Sequence, residues 1–232
     1  ETASELIPMS NHTPAPSPDE ILARLGPPVT ETVVVEDQAF LIQRPSDSDK
    51  STDGEAADAY TPYWADLWPG ARMLAKVIVR ELWTPGTLAL ELGCGLGLPG
   101  IVALSRGLKV TFSDFDECAL HFAAQNARLN GFTGFRTLLL DWRQPPTDLR
   151  FPVILGADLI YKASHAEMLV GVISRMLAPG GTCWLTDLER LPARVLHDAL
   201  WEGGLPFETQ LVRAGEPGGR RWKGTLYRIR SS

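Results

Sequence analysis

The residues best equipped for chemistry sit in one run, Leu90-Glu91-Leu92-Gly93-Cys94-Gly95-Leu96-Gly97-Leu98-Pro99-Gly100. An apolar stretch ends on a carboxylate and enters a turn with glycine at every second position, and a helix start is marked near Pro99. Without a Cβ, such a turn bends sharply and lets a ligand approach its amides. The helix beyond it presents unpaired N–H donors and the positive end of its dipole. Together these suit the polar part of a nucleotide-like cofactor.

The spacing Gly95-x-Gly97-x-x-Gly100 also satisfies the dinucleotide fingerprint, and Asp114 follows at a distance suited to ribose hydroxyls. On spacing alone a nicotinamide cofactor stays open. Two features count against it. Glu91 places a negative charge where a pyrophosphate would lie, and it suits cationic groups better, such as the α-amino and sulfonium groups of S-adenosylmethionine. A dehydrogenase would also need a substrate domain and hydride-handling residues, for which little chain remains.

Other chemistry-bearing residues fall at the ends of predicted strands, the edge where ligands bind in an open doubly wound sheet. These are Asp114-Phe115, Asp141-Trp142, and Asp158 with Tyr161. With Glu91, four consecutive strands each deliver a carboxylate to one edge. Asp114 would accept from ribose hydroxyls, while Phe115 or Trp142 would cover an adenine ring. Asp116 reads as a helix cap. The segment Tyr60 to Gly70 concentrates Tyr60, Tyr63, Trp64 and Trp68. Trp64 is read as a clamp on the sheet edge, and Trp68, just before a helix, as a wall of the cofactor pocket. His12, His121, His165 and His197 show no ligand spacing and read as surface or helix-face residues, so no metal site is expected.

The elements that must position these residues alternate regularly. Pro69 opens a helix carrying Leu74, Val77, Ile78 and Leu82 on one face. Strands are predicted at 87–92, 108–113, 135–140, 152–157 and 181–187, with helices near 99–106, 116–130, 163–177 and 192–202. Gly131 and Pro179-Gly180-Gly181 read as helix stops. Near-continuous apolar strands such as Leu138-Leu139-Leu140 and Val153-Ile154-Leu155 indicate a parallel sheet covered on both faces. Residues 207–213 and 221–229 read as a final hairpin. The expected fold class is α/β, a Rossmann-like doubly wound sheet of seven mostly parallel strands with a terminal antiparallel hairpin. Ahead of it, 19–25 reads as a short helix, 32–35 with 39–43 as a hairpin, and the acidic 45–59 as a mobile loop.

With 44% hydrophobic and 22% charged residues, the 232-residue chain has an ordinary globular composition. Residues 1–18, rich in Pro, Ser and Thr, read as a disordered arm. No membrane-spanning run or apolar signal segment is present, and Cys94, Cys118 and Cys183 lack paired spacing. These features predict a cytoplasmic protein with no membrane partner. The net charge of −6 disfavours a broad nucleic-acid footprint.

Five signatures together resemble the seven-strand protein methyltransferases of the lysine-methylating group, which bind S-adenosylmethionine. They are Trp68-Pro69, Glu-Leu-Gly-Cys-Gly-x-Gly-Leu at 91–98, Ser113-Asp114, Asp141-Trp142 and Gly-Ala-Asp-Leu-Ile-Tyr at 156–161, the last containing the Asp-x-x-Tyr pattern typical of that group. The resemblance spans residues 60–190. It makes 69–232 the methyltransferase domain, preceded by the arm 1–18 and an extension 19–68. It implies that Trp68, Gly93, Cys94, Gly95, Asp114, Trp142 and Ala157 contact the cofactor, and that Asp158 and Tyr161 face the acceptor. Glu91, Phe115 and Asp141 join the cofactor set through their strand-end positions.

A lysine acceptor must shed its proton before it attacks a sulfonium methyl, and desolvation in an aromatic-lined channel favours that loss. Asp158 would orient the amine and Tyr161 would hydrogen-bond it. Carboxylates around the cleft would favour a basic acceptor on a protein substrate. Alternatives are a small-molecule amine methyltransferase, a nicotinamide-dependent oxidoreductase and a non-catalytic cofactor-binding module. Methylation of a nucleic-acid base is disfavoured, because Ala157-Asp158-Leu159-Ile160 stands where the Asn/Asp-Pro-Pro-Tyr/Phe signature would be.

Overall fold

A computed structural model of the protein describes residues 18–46, 62–188, 194–215 and 219–231. The expected disordered arm, most of the acidic loop and Tyr60 lie outside them. Helix α1 (Pro18–Arg24) leads into a hairpin of β1 (Pro28–Val35) and β2 (Gln38–Pro45). Then follow α2 (Pro69–Arg80), β3 (Leu88–Leu92), α3 (Leu98–Ser105), β4 (Lys109–Asp114), α4 (Glu117–Leu129), β5 (Arg136–Leu139), β6 (Phe151–Ala157), α5 (Ala163–Met176), β7 (Leu177–Asp187), α6 (Arg194–Glu202), β8 (Phe207–Gly215) and β9 (Arg221–Arg230).

The main sheet has seven strands in the order β5-β4-β3-β6-β7-β9-β8. Pairing is parallel from β5 through β7 and antiparallel for β9 against both β7 and β8, as the alternation predicted. The order reverses between β3 and β6, so the carboxyl ends of β3, β4 and β6 flank the crevice where such folds bind ligands. One face of the sheet is covered by α2, α3 and α4, whose buried residues include Ile78, Ile101 and Phe122. The other is covered by α5 and α6 through Leu169, Ile173 and Leu200. Strand β5 is the exception to two-sided burial. It is the sheet edge, and Leu139 there is exposed.

Two boundaries differ from expectation. Helix α2 ends at Arg80, and Leu82, assigned to its apolar face, is 90% exposed. The approaching Pro85 disfavours further helix, and the Trp83 indole N–H donates to the Ile78 carbonyl at 3.0 Å, closing the last turn. At the other boundary α5 stops just ahead of Pro179-Gly180-Gly181 as expected, but β7 begins at Leu177 and not at 181. Leu177 pairs with Phe151 directly after α5 and pairing resumes at Thr182 with Val153, so Ala178 to Gly181 bulge opposite Pro152.

The β1–β2 hairpin is fastened by side chains rather than by the sheet. Asn130 accepts from the Leu41 N–H at 2.9 Å and donates to the Leu41 carbonyl at 2.7 Å. One helical turn earlier, Asn126 does the same for Gln43 at 2.8 and 3.0 Å. Two asparagines at i and i+4 thus satisfy alternate backbone groups of β2, as a neighbouring strand would. On its other side the hairpin turn carries Glu36, whose carboxylate pairs with Lys76 and Arg80 of α2.

Candidate functional site

The glycine turn leaves β3 with positive φ at Gly93, Gly95 and Gly97, which a residue bearing Cβ adopts only under strain. A Cβ on Gly93 would also lie 2.6 Å from Leu159 Cδ2. The turn is held from behind. Glu91 is buried, and its Oε2 accepts from the Gly100 N–H of α3 at 3.0 Å. Burial raises the Glu91 pKa well above the usual carboxylate range. Cys94 donates its N–H to the Ser113 carbonyl, and burial pushes its thiol up as well, leaving a packing group rather than a nucleophile.

Asp114 ends β4 with both carboxylate oxygens engaged. Oδ2 accepts from the Gly95 N–H and Oδ1 from the Asp116 N–H, each at 3.1 Å. Burial raises its pKa to about 6, against the lowering effect of those amides. Beside it Phe115 is 75% exposed, an apolar ring standing in solvent at the crevice. Asp116 caps α4, accepting from the Cys118 N–H at 2.8 Å, as its position predicted.

Beyond β5, the Asp141 carboxylate forms a two-pronged ion pair with the Arg143 guanidinium, whose hydrogen bonds hold it down at about 2. Trp142 is half-buried against the cluster containing Leu92 and Leu159, and its Cζ2 lies 3.8 Å from where a Cβ on Gly93 would stand. It therefore borders the glycine turn. Ala157 ends β6 opposite Thr186.

Asp158 is fully buried and has a left-handed backbone with φ 55°, uncommon outside glycine. Its Oδ2 accepts from the Gly70 N–H at 2.6 Å and its Oδ1 from the Leu188 N–H at 3.3 Å. Its own N–H donates to the Thr186 carbonyl, while the Thr186 hydroxyl donates to the Gly70 carbonyl at 2.9 Å. The carboxylate is thus directed at the first turn of α2. All four strand-end carboxylates reach one edge and accept backbone N–H groups there, Asp141 from its near neighbour Arg143 and the other three from residues more distant in the chain.

Tyr161 lies in a group of rings that sequence periodicity does not assemble. Its centroid is 5.2 Å from Tyr63, 6.1 Å from Trp68 and 6.2 Å from His165. The Trp68 indole N–H donates to the Tyr63 carbonyl at 2.7 Å, fixing the two rings of that one segment relative to each other. His165, read from the sequence only as a surface or helix-face residue, opens α5 beside Tyr161. Burial and the neighbouring Lys162 lower its pKa. Trp64 packs on Phe122 at 5.4 Å, and its carbonyl lies 3.3 Å from where a Cβ on Gly95 would be. It clamps the segment over α4 and the turn.

Residues 64–194 match the family described as lysine methyltransferase. The chain belongs to that family. Membership bears out the resemblance to the lysine-methylating group and removes the oxidoreductase alternative left open by the glycine spacing. The chain is 36% identical over 108 residues to a histidine protein methyltransferase 1 homolog of Dictyostelium discoideum, covering 44% of this chain and 35% of that protein. It is 35% identical over 129 residues to the protein-lysine N-methyltransferase EFM2 of Saccharomyces cerevisiae, covering 49% and 29%. It is 30% identical over 125 residues to the histone-arginine methyltransferase METTL23 of Rattus norvegicus, covering 49% and 54%. These matches thus span from about a third to about half of the relatives' lengths. Among solved structures, the N-methyltransferase NodS of Bradyrhizobium japonicum in complex with S-adenosyl-l-homocysteine superposes with a TM-score of 0.57 at 18% identity, covering 79% of this chain and 96% of that one. The class I methyltransferase fold is the fold of this chain. No described helix is long and apolar enough to cross a membrane.

Proposed function

We propose that this protein transfers a methyl group from S-adenosylmethionine to a nitrogen of a protein substrate, a lysine side chain. The observation that carries the proposal is the tie between Asp114 and the Gly95 amide, which joins a buried carboxylate to a glycine turn at the sheet's switch point. The donor set fits the cofactor. Asp114 retains lone pairs for ribose hydroxyls, the exposed Phe115 ring and the Trp142 ring flank the adenine position, and the bare α-carbons of Gly93 and Gly95 admit a ligand to the backbone. Trp68, Cys94 and Ala157 complete the lining, with Glu91 and Asp141 holding the walls around it.

The cofactor supplies an electrophilic methyl carbon that already carries its leaving group. The remaining work is positioning the acceptor and excluding water. Tyr63, Trp68 and Tyr161 form an aromatic mouth whose faces attract an ammonium and strip its water, which favours the neutral amine. Tyr161 hydrogen-bonds the amine, and His165 packs beside Tyr161, its pKa lowered by burial and by the neighbouring Lys162. Asp158 acts by holding α2 and the ends of β6 and β7, so that Tyr161 and Trp68 meet. Three free, buried cysteines suit a reducing compartment, and we place the protein in the cytoplasm.

The test is calorimetry with S-adenosylhomocysteine, followed by transfer of radiolabelled methyl into a cell lysate and mass spectrometry of the labelled residue. Binding and label on protein lysine are expected. Tyr161→Phe should leave cofactor affinity intact while transfer falls by about ten- to a thousandfold. Label confined to nucleic acid or small molecules would overturn the assignment.

A further inference from the structure

The chain is acidic overall, yet one structural feature is basic. In the β8–β9 hairpin, β9 runs antiparallel to β7, whose last residue, Asp187, pairs with Thr225. Four further pairs lie beyond that point, Val212 with Gly224, Arg213 with Lys223, Ala214 with Trp222 and Gly215 with Arg221. The ribbon therefore projects past the same carboxyl edge that carries the site. Strand alternation gives it two faces. On one, Val212, Ala214, Trp222 and Leu226 join the core over α2. On the other, Arg213, Lys223 and Arg221 stand together, with Arg220 at the turn.

All four cations are exposed, and none of their side chains has an ion pair or hydrogen bond among the described residues. The acids nearest them in register are Asp187, buried at the root of the ribbon on the Lys223 face, and Glu208 near the far end of β8, opposite Arg228. Glu216, in the turn sequence, lies outside the described residues. Unpaired like charges crowded on a two-stranded ribbon repel one another, so they lower the stability of the free protein slightly. An oppositely charged partner would relieve that cost.

We infer that this ribbon face docks an acidic segment of the methyl-acceptor protein and so fixes which lysine reaches the site. The inference rests on the methyltransferase reading of the crevice. Strands lie about 4.8 Å apart, so β9 stands about 10 Å across the sheet from β6, whose last residue precedes Asp158. An extended peptide covers that distance in about three residues. The docked acids thus fall about three to five positions from the target lysine. Four cations on a chain of net charge −6 make too small a footprint for nucleic acid.

The test compares the full chain with Arg213→Gln/Arg221→Gln/Lys223→Gln. The binding probe is a fluorescein-labelled peptide of twelve glutamates, read by anisotropy. The unaltered protein should bind it in a salt-sensitive manner, and the triple variant about tenfold more weakly, on the scale expected for three exposed charges. Arg213→Lys/Arg221→Lys should bind like the parent, and labelled methyl entering lysate protein should fall in the glutamine variant alone. Equal peptide binding by parent and glutamine variant would overturn the proposal. So would tighter binding of a twelve-nucleotide RNA that displaces the peptide. S-adenosylhomocysteine calorimetry on both proteins reads the cofactor site separately, so failure of the methyltransferase reading is distinguishable from failure of the docking face.

Discussion

The Asp158 carboxylate accepts a 2.6 Å hydrogen bond from the backbone N–H of Gly70, a residue 88 positions earlier, and a Cβ on Gly70 would overlap that carboxylate. The contact joins the end of β6 to the first turn of α2 inside the protein. It explains why glycine follows Pro69 and why an aspartate tolerates a left-handed backbone. It supports the positioning role proposed for Asp158.

Asp158→Ala leaves the Gly70 and Leu188 amides without their acceptor, at a cost of about 1–3 kcal/mol for each such buried group. Thermal unfolding should fall by several degrees, about 2–4 °C per kcal/mol at this size. Gly70→Ala should destabilise comparably, and the double variant by less than the sum, since both break one contact. An unchanged melt with loss of transfer alone would instead put Asp158 on the acceptor.

Asp114 titrates in an accessible range. Its pKa is raised by burial to about 6 from the model-compound 3.8. Folding therefore favours the protonated form, and that contribution is fully present below the unfolded value and lost as pH rises through the folded one. Asp114→Asn stays neutral, so its stability relative to the parent should improve between pH 4 and 7 by up to about 3 kcal/mol, at 1.36 kcal/mol per unit. Cofactor affinity should run the other way. The ionised carboxylate is the better ribose acceptor, so S-adenosylhomocysteine binding should weaken as pH falls from 7 to 5. Urea denaturation and calorimetry across pH check both signs, and flat profiles would refute them.

Trp142 borders the glycine turn at van der Waals distance from the Gly93 position. If it covers the adenine, Trp142→Ala weakens cofactor binding by about 1–3 kcal/mol, the scale of a lost base–aromatic stack. Unchanged affinity in a folded variant would return Trp142 to the core.

Asn126 is fully buried and joins Gln43 of the hairpin to the Leu96 carbonyl of the glycine turn. Asn126→Ala should cost about 3 kcal/mol through the backbone groups it strands. The Gln43 amide should exchange with deuterium much faster than in the parent. Loss of protection at Gln43 without any change at Leu41, which Asn130 holds, would show the two asparagines to be independent fasteners.

Several features were legible in the chain alone, because they depend on neighbours in sequence. The regular alternation of apolar strands and helices determined the seven-strand sheet. The stepped glycines after Glu91 determined the turn, and the strand pattern put four carboxylates at one edge of the sheet. Tertiary structure decided what those carboxylates face. Asp158 faces Gly70, Glu91 faces Gly100 and Asp114 faces Gly95, each partner supplied by a different element. No local pattern distinguishes a strand-end acid that holds a distant amide from one that holds a ligand, because both need the same side chain at the same position. The grouping of Tyr63, Trp68, Tyr161 and His165, and the ribbon's basic face, likewise depend on register and crossing between segments far apart in the chain. Periodicity within one element says which face is buried; only the packing of elements says what it is buried against.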